Sequence, residues 1–189
     1  MRPINRKQEN PAEGRMRTTG REMPPEGRSK AKKDVYDLCE RAKGLGQTGS
    51  EGNMRLNCIS EIARDSKTAL EVYKETTDNG TKNIILKAFE TAVDTGRVIP
   101  AEANVIVAKK SIRMCSRINA CMQLRGNVEA MVEVAIHTIY DDTAEIMLRR
   151  LGEIGEIGAV HRVSCERPKI RDIAIGIISE HRVGTEKSN

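Results

Sequence analysis

The chain has 189 residues, a formal net charge of +5 and only one Phe, three Tyr and no Trp. That length holds one domain with a real core plus an arm, and so few aromatic residues argue against a sheet protein, whose strands draw on them heavily. No apolar run reaches the roughly 18 residues of a membrane-crossing helix, and the basic N-terminus lacks the apolar stretch of a secretory signal.

Residues 1–33 carry ten Arg and Lys against four Glu, a net of +6, while 22 basic and 23 acidic residues leave positions 34–189 at −1. The same segment holds four of the six prolines and almost no large apolar residue. It cannot bury enough surface to offset the entropy of ordering, so it reads as a disordered basic arm. Its cations Arg15, Arg17, Arg21, Arg28, Lys30, Lys32 and Lys33 are expected to meet phosphates, releasing counterions as they do so. The run Arg28-Ser-Lys-Ala-Lys-Lys33 also fits a nuclear-import patch. A solubilising tail and attraction to an acidic membrane surface are the competing readings.

From Asp34 the pattern turns helical, with Val35, Leu38, Cys39 and Ala42 on one face and a stop at Gly44. The Gly, Ser, Thr and Gln content of 44–52 predicts a flexible linker, which sets this first helix apart as an appendage. Residues 53–182 then read as an α-helical domain, and 183–189 as a disordered tail. Within the domain, periodicity predicts helices over about 53–76, 81–94 (capped by Thr81), 101–124 and 127–140, after which Asp141-Asp142-Thr143 either interrupts or re-caps a continuation through Leu151. A final helix opens at Pro168. Gly152–Gly158, a tandem Gly-Glu-Ile triplet, reads as a connection, and Ala159–Val163 as a short extended piece. The expected fold class is all-α, a bundle of about five to six helices behind a disordered basic N-terminal arm.

The predicted helix 101–124 draws most interest. No acidic residue lies between Glu102 and Glu129, while Lys109, Lys110, Arg113 and Arg117 fall within one sector of a regular helix. Such a stripe suits phosphate contact better than base reading; the plain alternative is a solvated face. With so few aromatic side chains to stack on bases, binding is expected to be sequence-blind.

Other chemistry has weaker support. Cys115, Cys121, His161 and Cys165 supply ligand types for zinc, but positions six apart on one helix point about 120° away from each other, and buried thiols explain them as well. The five cysteines are odd in number and irregularly spaced, which reads as reduced thiols in the nucleus or cytoplasm. His137 lies one turn from both Glu133 and Asp141, an arrangement common for surface histidines. No nucleophile elbow, phosphate-cradling Gly loop or HExxH is present.

These features define an expectation of a non-enzymatic protein with no catalytic residue, metal or cofactor. It binds RNA or DNA through phosphates and packages them in the manner of a nucleocapsid-like or matrix-like protein, by analogy of composition. The broad apolar faces of 128–139 and 170–178 predict a homo-oligomer. The alternative is a helical scaffold or regulator with a protein partner, whose basic arm only directs localisation.

Overall fold

A computed structural model describes residues 29–186, with side chains to residue 181. The described residues are all-helical, with ten α-helices, one 3-10 turn and no strand. They are α1 (Lys30–Gly44), α2 (Gly49–Arg64), α3 (Ser66–Glu75), α4 (Asn79–Asp94), α5 (Ala101–Lys110), α6 (Met114–Gln123), α7 (Val128–His137), α8 (Asp141–Glu153), α9 (Ile157–Glu166) and α10 (Arg171–Glu186), with the turn at Pro168–Ile170. None is long and apolar enough to cross a membrane.

The helix count exceeds the expected five to six because polar side chains break the long periodic stretches. At Asp65 the carboxylate accepts from the Thr68 N–H at 3.1 Å, capping α3 and ending α2. At Ser111 the hydroxyl accepts from the Arg113 N–H at 3.1 Å, and the backbone turns extended before α6. At Thr138 the hydroxyl accepts from the Tyr140 N–H at 3.2 Å, separating α7 from α8. The apolar pattern of the sequence runs on past such breaks, but beyond Ser111 the residues that continue it, Ile112, Cys115 and Met122, are exposed in the fold.

Other boundaries move as well. Asp78, rather than Thr81, caps α4; it accepts from the N–H groups of Gly80 and Thr81 and from the Thr81 hydroxyl. The stretch expected to be extended near 159–163 is helix α9, which buries Val160, Val163 and Ser164 on one face. Residues 30–33, assigned to the arm, form the first turn of α1, with the Ser29 hydroxyl accepting from the Lys32 N–H. Residues 183–186, assigned to the tail, are the end of α10. The remainder of the arm, 1–28, and of the tail, 187–189, lie outside the described residues.

Helix α1 is no appendage. Val35, Cys39 and Ala42 are small enough to seat it closely, and it packs on α2, α3 and α4. Lys32 and Lys43 tie it to α3 and to the cap of α4. The intervening linker is short and held, because Glu51 accepts from the Gly46 N–H at 2.9 Å. At Gly52 a Cβ would stand 2.7 Å from the Gln47 carbonyl oxygen, so only glycine fits there.

Packing follows chain order. Helices α1–α4 pack together, α4 carries α5 and α6, and these in turn carry α7 and α8, on which α9 and α10 close. The core is aliphatic as composition demands: Ile62, Ile84, Ile85, Leu124, Met131, Met147, Leu148 and Leu151 are fully buried, as is the single Phe89.

Candidate nucleic-acid interface

The break at Ser111 takes the predicted cationic stripe apart. Lys109, still on α5, turns to α7 and meets Glu133 at 2.6 Å, which holds that carboxyl below the usual range. Lys110 reaches α3 instead. Its ammonium donates to the Tyr73 hydroxyl at 3.0 Å and lies 5.5 Å from the ring centroid. Arg113, half-exposed, pairs with Asp94 of α4 at 3.0 Å.

Arg117 is buried, which corrects its reading as a phosphate contact. Its guanidinium donates from Nε to the Thr143 hydroxyl at 2.9 Å and from Nη1 to the carbonyls of Ser111 and Ile112. Nη2 meets Asp142 at 2.8 Å, and the fork stacks 3.8 Å from the Tyr140 ring centroid. Burial acts to raise the Asp142 carboxyl, but Arg117 and Thr143 outweigh it and lower it. Arg167 mirrors this on the far side of α8, donating to the carbonyls of Ala135 and Thr138 and to Asp141 at 2.5 Å. Two buried arginines thus clamp the N-terminus of α8 to the ends of α5 and α7.

Of the arm cations, Arg15, Arg17, Arg21 and Arg28 lie outside the described residues. Lys32 is bound to Glu75 at 2.5 Å and Glu71 at 3.1 Å, and these hydrogen bonds raise its pKa. Lys30 and Lys33 are exposed on α1, and no ion pair engages them among the described residues.

The fold supplies a different basic site. Lys110 and Arg113 line a cleft of about 620 Å³ together with Lys43 from α1, Arg55 from α2, and Lys87 and Glu90 from α4. Lys43 is neutralised by Asp78 at 2.8 Å and Glu40 at 2.6 Å; burial acts to lower its pKa, and the two carboxylates raise it. Arg55 donates only to the Leu45 carbonyl, at 3.0 Å. Lys87 has no side-chain partner among the described residues, and Lys110 has only Tyr73. Arg55, Lys87 and Lys110 are therefore cations that no carboxylate balances. They meet from three helices, so a bound anion would find them already converged.

Lys43, Arg55 and Lys87 were not identifiable from sequence. Each has an acidic residue three or four positions away on its own helix (Glu40, Glu51 and Glu90) and reads as an ordinary solvated cation. A second groove of about 610 Å³, lined by Lys109 and again by Lys110, differs in charge: Lys74, Lys109 and Lys110 stand against Glu102, Glu129 and Glu133, three against three.

The other candidate chemistry is dispersed. Cys115 is exposed, Cys121 is buried, and Cys165 lies 3.8 Å from His161 Nδ1. No group of three His, Cys, Asp or Glu able to hold a metal occurs among the described residues. His137 Nε2 lies 3.6 Å from Glu133, while Asp141 is taken by Arg167. Compared with protein families, curated proteins and solved structures, the chain matches none.

Proposed function

We propose that this is a non-enzymatic nucleic-acid-binding protein that holds RNA or DNA by its phosphates, largely without regard to sequence, and serves in packaging it. The observation that carries this reading is the cleft where Arg55, Lys87 and Lys110 meet without carboxylate partners. The +6 of residues 1–33 adds to it, because a cationic segment gathers polyanions before a folded site engages them. Self-association and a nuclear or cytoplasmic location are secondary parts of this proposal, and attraction of the arm to an acidic membrane surface is its competitor.

Salt-titrated anisotropy with random-sequence RNA and DNA tests it. Wild-type affinity should fall steeply with salt, and Lys87→Glu with Lys110→Glu should flatten the log–log slope by about 1.5, given roughly 0.7–0.9 per phosphate contact. Changing Arg15, Arg17, Arg21 and Arg28 together to Gln should flatten it further. Binding indifferent to salt and to both sets of changes rejects the reading.

A protein-interaction scaffold is favoured by one separate observation. Ile112 and Ile139 are 85% and 79% exposed on neighbouring loops that Arg117 and Tyr140 bring together. A protein partner that survives nuclease and high salt, and is lost on Ile112→Asp, would move the assignment there.

A further inference from the structure

The cleft contains one acidic residue, and it is unusually placed. Glu90 is 8% exposed, lines the cleft from α4, and makes no hydrogen bond or ion pair among the described residues. Asn83, Lys87 and Glu90 follow one another at helical spacing along the α4 face that forms this wall. Its stem is covered, while its carboxylate oxygens keep contact with solvent, so the acceptor is open to a donor from the cleft side. Here the neighbouring cations stay beyond ion-pairing distance, and the acceptor is left facing the cleft.

A bare phosphate is a poor fit for that arrangement, because Glu90 repels what Arg55, Lys87 and Lys110 attract. The matching ligand presents a phosphate to the cations and, close beside it, a neutral O–H or N–H donor to Glu90. None of the lining residues is aromatic, so no stacking platform retains a base there. What remains is the sugar–phosphate backbone, and the donor that lies next to a phosphate in that backbone is the ribose 2′-hydroxyl. It is also the group by which proteins tell RNA from DNA.

We propose that Glu90 accepts a hydrogen bond from a ribose 2′-hydroxyl while Arg55, Lys87 and Lys110 hold the adjoining phosphate, so that the protein selects RNA over DNA. This rests on the phosphate-binding reading above and gives it a substrate class. No base is read, and the selection is compatible with indifference to sequence.

The test uses the full chain and three oligonucleotides of one mixed sequence: RNA, DNA and 2′-O-methyl RNA, which keeps the ribo backbone but lacks the donor. Wild type should bind RNA about tenfold more tightly than either of the others, equivalent to about 1.4 kcal/mol. Glu90→Met, similar in size but without an acceptor, should bring that ratio below twofold while still binding all three. Should it fail to fold, Glu90→Ala, which also removes the acceptor, carries the same test with thermal melts as a folding control, and the ratio should drop at least threefold. Equal wild-type binding to all three, or a ratio unmoved by the Glu90 variants, overturns the proposal and leaves phosphate binding standing. Effective competition by a free ribonucleoside monophosphate also overturns it, placing a mononucleotide rather than a chain in the cleft. If wild type binds no nucleic acid, both readings fall together.

Discussion

Replacing Arg117 by Ala separates a phosphate contact from a structural strut. Its side chain is 6% exposed, and its loss removes the donors to the Thr143 hydroxyl, to the Ser111 and Ile112 carbonyls and to Asp142. Breaking a fully buried ion pair costs about 3–5 kcal/mol, because the surviving charge is stranded. Asp142 is 40% exposed and regains water, which moves the expected cost to the low end. The stranded carbonyls, each worth about 1 kcal/mol or more when left without a partner, prevent it from going much lower. We expect a loss of about 3 kcal/mol, measured by urea unfolding, with a fall in Tm of roughly 6–12 °C for a domain of this size. Arg117→Lys should recover only part of it, since an ammonium cannot serve all these acceptors at once. At a temperature where the variant remains folded, its affinity for RNA and its salt slope should stay within twofold of wild type. A loss below about 1 kcal/mol, or a slope flattened as by the Lys87 and Lys110 changes, would refute the assignment of Arg117 to the fold.

Acid should weaken the fold through three carboxyls. Lys43 and Thr81 hold Asp78 below its usual range and Lys109 does so for Glu133, while Arg117 and Thr143 prevail over burial at Asp142. Because the folded values lie below the unfolded ones, their stabilisation is complete above about pH 5, shrinks as pH falls below the unfolded values and is gone below the folded ones. Urea midpoints measured from pH 6 to pH 2 should show this, and Asp78→Asn with Asp142→Asn should shrink the drop. Thiol labelling under native conditions should modify Cys115 and Cys165 quickly and the other three slowly, since burial pushes the Cys39 and Cys121 thiols up to about 12. Gly52→Ala should cost about 1–3 kcal/mol in the same unfolding assay, because its Cβ meets backbone atoms of Gln47 that cannot swing aside.

Composition and periodicity sufficed for the helical class and for much of the core. Val35, Cys39, Ile62, Ile85, Phe89, Ala108 and Val132 stand at helical spacing in the sequence and are buried in the fold. Spacing reveals which side of a helix is apolar, and burying that side is the main driving force. The breaks at Asp65, Ser111 and Thr138 were less legible. A hydroxyl or carboxylate that bonds a nearby N–H competes with the helix only locally, and the apolar pattern continues across it.

The charges divide along the same line. One linear fact, the +6 of residues 1–33, needs no coordinates. The fate of each cation in the folded part was decided by its neighbours in space: Arg117 faces Asp142, Lys109 faces Glu133, and Lys110 escapes both to join Arg55 and Lys87. Coulombic pairing acts over a few ångströms between helices that lie tens of residues apart, so no window along the chain registers it. Hydrophobic periodicity is a local property of the chain, whereas a cleft with three unbalanced cations and one bare carboxyl exists only once α1, α2, α4 and α5 have packed.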